Sequence, residues 1–159
     1  MPMIDVYHPE GAFTPEAQAR LGEALTALLL KMEGAPDNPV SRTISWAFFH
    51  PLPAGAIFVG GKPAADKIYK IVFSVPQGTA KLHGPATLDQ RDALVKAATR
   101  LVLAAEGSEA TPANQARVWC FLHEVPEATW GGQGRLVGIR DISAFVMSGA
   151  AAAPELVEA

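Results

Sequence analysis

Trp46-Ala47-Phe48-Phe49-His50-Pro51-Leu52-Pro53 and Trp119-Cys120-Phe121-Leu122-His123-Glu124-Val125-Pro126 carry one pattern twice. Tryptophan, phenylalanine, histidine and proline recur in the same order, each pair 73 residues apart. Thr14 and Thr87, each ahead of a helical pattern, are separated by the same 73 residues. Shared offsets of this kind mark an internal duplication. Working outward, each half reads strand, helix, strand. Met1 to Tyr7 is apolar and β-branched without a helical period. Ala17, Leu21, Ala24, Leu25, Leu28 and Met32 then recur at three- and four-residue spacing, one apolar helix face. Thr14 suits the N-cap, Pro15 the first helical position and Glu16 the positive helix end. Gly34-Ala35-Pro36 stops the helix. The closing strand is expected at residues 43–50, with a short strand at 57–59 before Gly60-Gly61. In the second half a strand is expected at 68–75. Thr87 and Gln90 form a capping box. Leu94, Ala98, Leu101, Val102 and Ala105 line a helix, and a strand at 118–124 leads towards Gly131-Gly132.

A helix of about twenty residues between two strands suits a right-handed βαβ crossover, with the two strands parallel. The expected fold is therefore α+β. Tandem β-α-β units form a four-stranded mixed sheet with two helices on one face. Repeat 1 covers about residues 2–63 and repeat 2 about 68–135, within one domain over 1–147; residues 148–159 read as a mobile tail. Strand alternation puts Trp46, Phe48 and His50, and likewise Trp119, Phe121 and His123, on the face away from the helices. An exposed apolar face of that size marks an interface, so an oligomer is expected to cover it.

The 159 residues are 49% hydrophobic and 18% charged, with a net charge of −3. That suits a packed core and offers no basic stripe for nucleic acid. The single cysteine, Cys120, excludes an internal disulfide, and its apolar neighbours make it a buried, inert thiol. His50 and His123 lack the carboxylate or cysteine partners of a metal site. The longest apolar helix stretch is too short to span a bilayer, and no secretory signal is present. A cytoplasmic protein with no membrane partner is the expectation.

The chain begins Met1-Pro2. Removal of Met1 leaves Pro2 with a free secondary amine, a base and nucleophile; otherwise Pro2 is an ordinary strand-start proline. A duplicated βαβ unit beginning Met-Pro resembles the tautomerase superfamily. Pro53-Ala54-Gly55-Ala56-Ile57-Phe58-Val59-Gly60-Gly61 is similar to a segment of the cis-3-chloroacrylic acid dehalogenase group. So are Val118-Trp119 followed by Glu124-Val125-Pro126, and Trp130-Gly131. The resemblance covers about residues 2–135. It implies a homotrimer with Pro2 as the catalytic residue, acting without a cofactor on a small carboxylic acid.

The departures redirect the chemistry. Leu29 stands at the group's helix histidine. Phe121 stands at its tyrosine, and Thr129 near its water-activating glutamate. No arginine lies in the turn after the third strand, where the group holds its substrate carboxylate. This argues against hydrolytic dehalogenation and for keto-enol proton transfer on small 2-oxo or unsaturated acids. Lys81 or His83 in the same turn are candidates to hold the carboxylate, or are solvated loop side chains. Arg117 is a further candidate, or a strand-edge cation. Trp130 either walls the pocket or packs an oligomer. Glu124 reads as a strand-end contact. Two alternatives stand beside this reading: a binding or structural trimer with little or no activity, and a cofactor-independent hydratase or decarboxylase of a 3-carbon acid.

Overall fold

The computed structural model describes residues 3–79 and 88–148. The main sheet holds β1 (Met3–Pro9), β2 (Trp46–Leu52), β5 (Tyr69–Pro76) and β6 (Val118–Val125), in the order β2-β1-β5-β6. Within each half the strands are parallel, β1 with β2 and β5 with β6. The halves meet antiparallel at β1 and β5, where Met3 pairs with Ser74 and Tyr7 with Lys70. The sheet is thus mixed, as expected from two βαβ units placed side by side.

The long helices α1 (Pro15–Glu33) and α3 (Leu88–Glu106) pack on one face of the sheet. Leu21, Leu25 and Leu29 of α1 and Leu94, Ala98 and Val102 of α3 form the core with Ile4, Val6, Ile71 and Phe73 from the strands. Full burial of a leucine side chain contributes about 1.5–3 kcal/mol, so this helix-on-sheet layer supplies the main stabilisation. Thr14 caps α1, its hydroxyl accepting from the Ala17 N–H at 3.2 Å. Gly34 ends it at φ 73°, and the next N–H, that of Ala35, bonds back to the Leu30 carbonyl at 3.0 Å. A side chain at position 34 would be strained in that left-handed conformation.

Between helix and closing strand each half inserts a short helical turn, α2 (Pro39–Thr43) and α4 (Pro112–Gln115). These begin on Asn38 and Thr111, whose side chains accept from the third residue on, Ser41 and Asn114. The second strand consequently starts at Trp46 rather than at residue 43, because the chain completes a capped turn first. Each half then ends in a small hairpin, β3 (Phe58–Val59) with β4 (Lys62–Pro63), and β7 (Gly131–Gly132) with β8 (Arg135–Leu136).

A final helix, α5 (Ile139–Ser148), has no counterpart in the sequence reading, which passed from the second hairpin to a tail. Ser148 belongs to this helix, and the remainder of the expected tail lies outside the described residues. The sheet face opposite α1 and α3 carries Trp46, Phe48, Trp119 and Phe121 exposed, with Trp119 65% accessible. Lys70 lies among them, its Nζ 5.2 Å from the Tyr7 ring centre and 5.3 Å from that of Phe121.

Candidate active site

A cavity of about 390 Å³ opens where α1 ends. Leu30, Glu33 and Ser41 contribute from α1 and α2, and Pro76, Gly78 and Thr79 from the end of β5. One face of α5 closes it with Ile139, Ile142, Ser143, Val146 and Met147. The helix is held there partly by Asn38, whose side-chain amide donates to the Val146 carbonyl at 3.3 Å. Sheet register locates the cavity. Met3 lies opposite Ser74, and β5 continues past Ser74 to Pro76 in the cavity wall. The cavity therefore sits at the end of the sheet from which β1 starts. Pro2, which precedes Met3 in the sequence, lies outside the described residues.

Glu33 is the titratable group among the described residues of this wall. It is 9% exposed, and burial pushes its carboxyl up to about 7. Desolvation disfavours the anion, so near neutral pH the group exchanges between acid and carboxylate. Ser41 has its hydroxyl committed to the Pro36 carbonyl at 2.5 Å and the Asn38 side chain at 3.1 Å. The other walls are mainly aliphatic.

Leu29 does not contact this space. It is fully buried in the core, because its position on α1 faces the sheet, and Leu30 and Glu33 face the cavity instead. Arg117 does not line this space within one chain either. It lies beside the start of β6, at the opposite end of the sheet, where its guanidinium binds the Glu106 carboxylate at 2.8 and 3.1 Å. It also donates to the Lys67 carbonyl at 2.8 Å and to Asn114 at 3.1 Å. Burial works to raise the Glu106 carboxyl, and hydrogen bonds led by those of Arg117 bring it below its ordinary value. Arg117 is an internal counter-ion there.

Phe121 stands on the open sheet face, 6.3 Å from His123 between ring centres. Thr129 closes the turn after β6, its hydroxyl donating to the Pro126 carbonyl at 2.6 Å. Trp130 follows it, with an indole N–H that is buried and unpaired among the described residues. Within one chain these three do not line the cavity, so contact with its contents requires a second copy. Lys81 and His83 lie outside the described residues.

His50 and His123 have different settings. His50 Nε2 is 2.7 Å from Asp5 Oδ1 and its ring stacks on Tyr7 at 4.4 Å. No group of three potential metal ligands forms among the described residues. Cys120 packs under α3, where burial pushes its thiol up to about 11. Glu124 pairs with Arg91 at 3.2 Å, a strand-end contact as read from the sequence. No helix among the described residues is long and apolar enough to cross a membrane.

Sequence reasoning missed Glu33 and the whole of α5. A signal for Glu33 existed: Leu21, Leu25, Leu29 and Glu33 share four-residue spacing, which places a carboxyl on the buried stripe.

A family model described as a putative oxalocrotonate tautomerase enzyme matches residues 1–103, and one described as a tautomerase enzyme matches residues 79–140. No curated protein matches the chain. Among solved structures, N1, a member of the cis-3-chloroacrylic acid dehalogenase family, aligns with a TM-score of 0.65 at 23% identity, over 85% of this chain and 82% of that one. Pt0534 inactivated by 2-oxo-3-pentynoate gives 0.66 at 20%, over 87% and 97%. A symmetric trimer of fused 4-OT gives 0.65 at 20%, over 89% and 98%. Those structures establish the shared fold; the first family model alone spans more than half of the sequence, and the chain belongs to the tautomerase superfamily.

Proposed function

We propose that this protein catalyses cofactor-independent keto-enol proton transfer on small carbonyl compounds, with the Pro2 amine as general base and acid once Met1 is removed. The observation that carries this reading is the apolar cavity at the end of the sheet from which β1 starts. An α-amine titrates near 8 in water, and apolar surroundings lower it towards neutrality by disfavouring the cation. Such a base takes a proton from the carbon beside a carbonyl and returns it elsewhere. Superfamily membership supports the same assignment.

A carboxylate on the substrate, as the family resemblance implies, calls for a cation at the cavity. Arg117 is engaged at the far end of the sheet, which leaves Lys81 and His83 as the candidates of this chain. The exposed aromatic sheet face supports a homotrimer, in which neighbouring copies cover Trp46, Phe48 and Trp119.

The test is ketonisation of phenylenolpyruvate and of the enol of acetylacetone, with intact mass to establish that Met1 is absent. Pro2→Ala is expected to lower kcat at least 100-fold on whichever enol is turned over. Full activity in Pro2→Ala, or in protein retaining Met1, would sink the assignment. A weakly active or inactive trimer is the second reading, favoured by the missing arginines after β5. It predicts no turnover above the solvent rate in fully processed protein.

A further inference from the structure

The two halves of the chain treat one position differently. Glu33 and Glu106 end the equivalent helices α1 and α3, and are 73 residues apart. In the second half, Arg117 reaches back to Glu106 and neutralises it. The residue 73 positions before Arg117 is Ile44, which lines the cavity. The first half therefore keeps the buried acid and has an aliphatic side chain where its arginine would stand.

Among the described residues no hydrogen bond or ion pair engages Glu33. The Ser41 hydroxyl, in the same wall, is spent on Pro36 and Asn38. Arg42 of α2 is spent on Asp37 and Glu23. Lys31 of α1 and Arg140 and Asp141 of α5 do not line the cavity, and the end of β5 brings no charged side chain to it among the described residues. Lys81 and His83 follow Thr79 in the sequence, outside the described residues. An unpaired carboxylate in aliphatic surroundings is costly, so such a group stays neutral or takes a cation. One cation does act on it. The positive charge of the chain's amino terminus draws the Glu33 carboxyl down, against the larger upward push of burial.

The second half shows a related pairing. Met3 pairs with Trp46 as Lys70 pairs with Trp119, so Tyr69 is the repeat counterpart of position 2. Burial first, and then the Glu106 carboxylate, hold the Tyr69 hydroxyl in its protonated form. The helix-end acid of the second half thus acts on the residue that corresponds to Pro2.

We propose that Glu33 is the counter-charge of the Pro2 amine: its carboxylate holds the amine as ammonium, and its neutral acid leaves the amine free to act as a base. Glu33 is then a positioning residue, one that sets the charge of Pro2 without touching the substrate. The consequence for rate rests on the reading of Pro2 as the base; the charge coupling does not. Apolar walls disfavour the ammonium, and an ionised carboxylate beside it favours the ammonium. Two groups so linked titrate as a pair, the amine losing its proton mainly in the upper step. Only protons move, between nitrogen, carboxyl and solvent.

The test reads the amine directly. Protein brought to Pro2 as its first residue with methionine aminopeptidase, and verified by intact mass, carries isotope-labelled proline and is followed by nitrogen NMR against pH. The terminal amine is the one proline nitrogen that titrates. Glu33→Gln is expected to lower its midpoint by at least about one pH unit, the scale of a close opposite charge. Ile44→Arg, which gives Glu33 the partner that Glu106 has, is expected to lower it as well. On any enol that is turned over, the acid limb of the kcat/KM profile is expected to move down with the amine in Glu33→Gln. A purely structural defect would lower the rate at every pH and leave the limb in place. An amine midpoint that is unchanged or higher in Glu33→Gln overturns the proposal. So does a difference that emerges only after Lys81→Ala or His83→Ala, which would make that side chain the counter-charge. Absence of turnover in fully processed protein removes the role of Pro2 as base, and the amine titration still decides the role of Glu33.

Discussion

Glu33 and Arg117 show how a single side chain decides between a site and a strut. Glu33 is a carboxyl whose folded-state value is raised to about 7 from an unfolded value of 4.5. Between those values the folded state binds more protons than the unfolded one, so stability falls as pH rises through the interval and levels off above 7. The loss is about 3 kcal/mol at 1.36 kcal/mol per pH unit. Urea unfolding at pH 5 and pH 8 is therefore expected to show a steeper decline for wild type than for Glu33→Gln. Equal slopes would mean that the carboxyl is solvated or already paired. Arg117 gives the opposite case. Its removal in Arg117→Met leaves the Glu106 carboxylate with only Lys67, 3.7 Å away, and is expected to cost about 1–3 kcal/mol, most of it restored in the double variant Glu106→Gln/Arg117→Met. Chemical denaturation of the wild type and these two variants checks this.

At the scale of elements, α5 and the α2 turn depend on one another. The Asn38 side chain caps α2 through the Ser41 N–H at 2.8 Å and holds α5 through the Val146 carbonyl. Asn38→Ala is expected to lose about 1 kcal/mol as an N-cap. It also releases α5, which should appear as faster amide exchange in residues 139–148 with little change in α3. Unchanged exchange in α5 would show that Ile142 and Val146 hold the helix by packing alone. A signal for this helix existed, since Ile139, Ile142 and Val146 recur at three- and four-residue spacing on one face. Their partners, Leu30 and Pro36 among them, come from over a hundred residues earlier in the chain.

For the whole molecule, the aromatic sheet face is the consequence of having two helices and four strands. The helices cover one side of the sheet, and the other side keeps Trp46, Phe48, Trp119 and Phe121. Trp119→Asp is expected to convert the proposed trimer to monomer in sedimentation equilibrium, since burying an unpaired carboxylate in an apolar interface is strongly unfavourable. A trimer of unchanged mass would place the interface elsewhere. Thr129 and Trp130, remote from the cavity within one chain, would contribute to a site only through such an assembly.

The duplication, the parallel strand pairs, the helix faces and the open aromatic side were legible in the sequence. Each rests on local periodicity, capping chemistry and a repeated interval, all of which are properties of neighbouring residues. The place of α5 against the end of α1, the burial of Leu29 under the sheet, the pairing of Arg117 with Glu106 and the facing of Glu33 into a cavity were decided only in three dimensions. These depend on which distant side chain arrives at a given point. The same helix-end glutamate becomes a neutralised strut where an arginine meets it and a cavity acid where an isoleucine does.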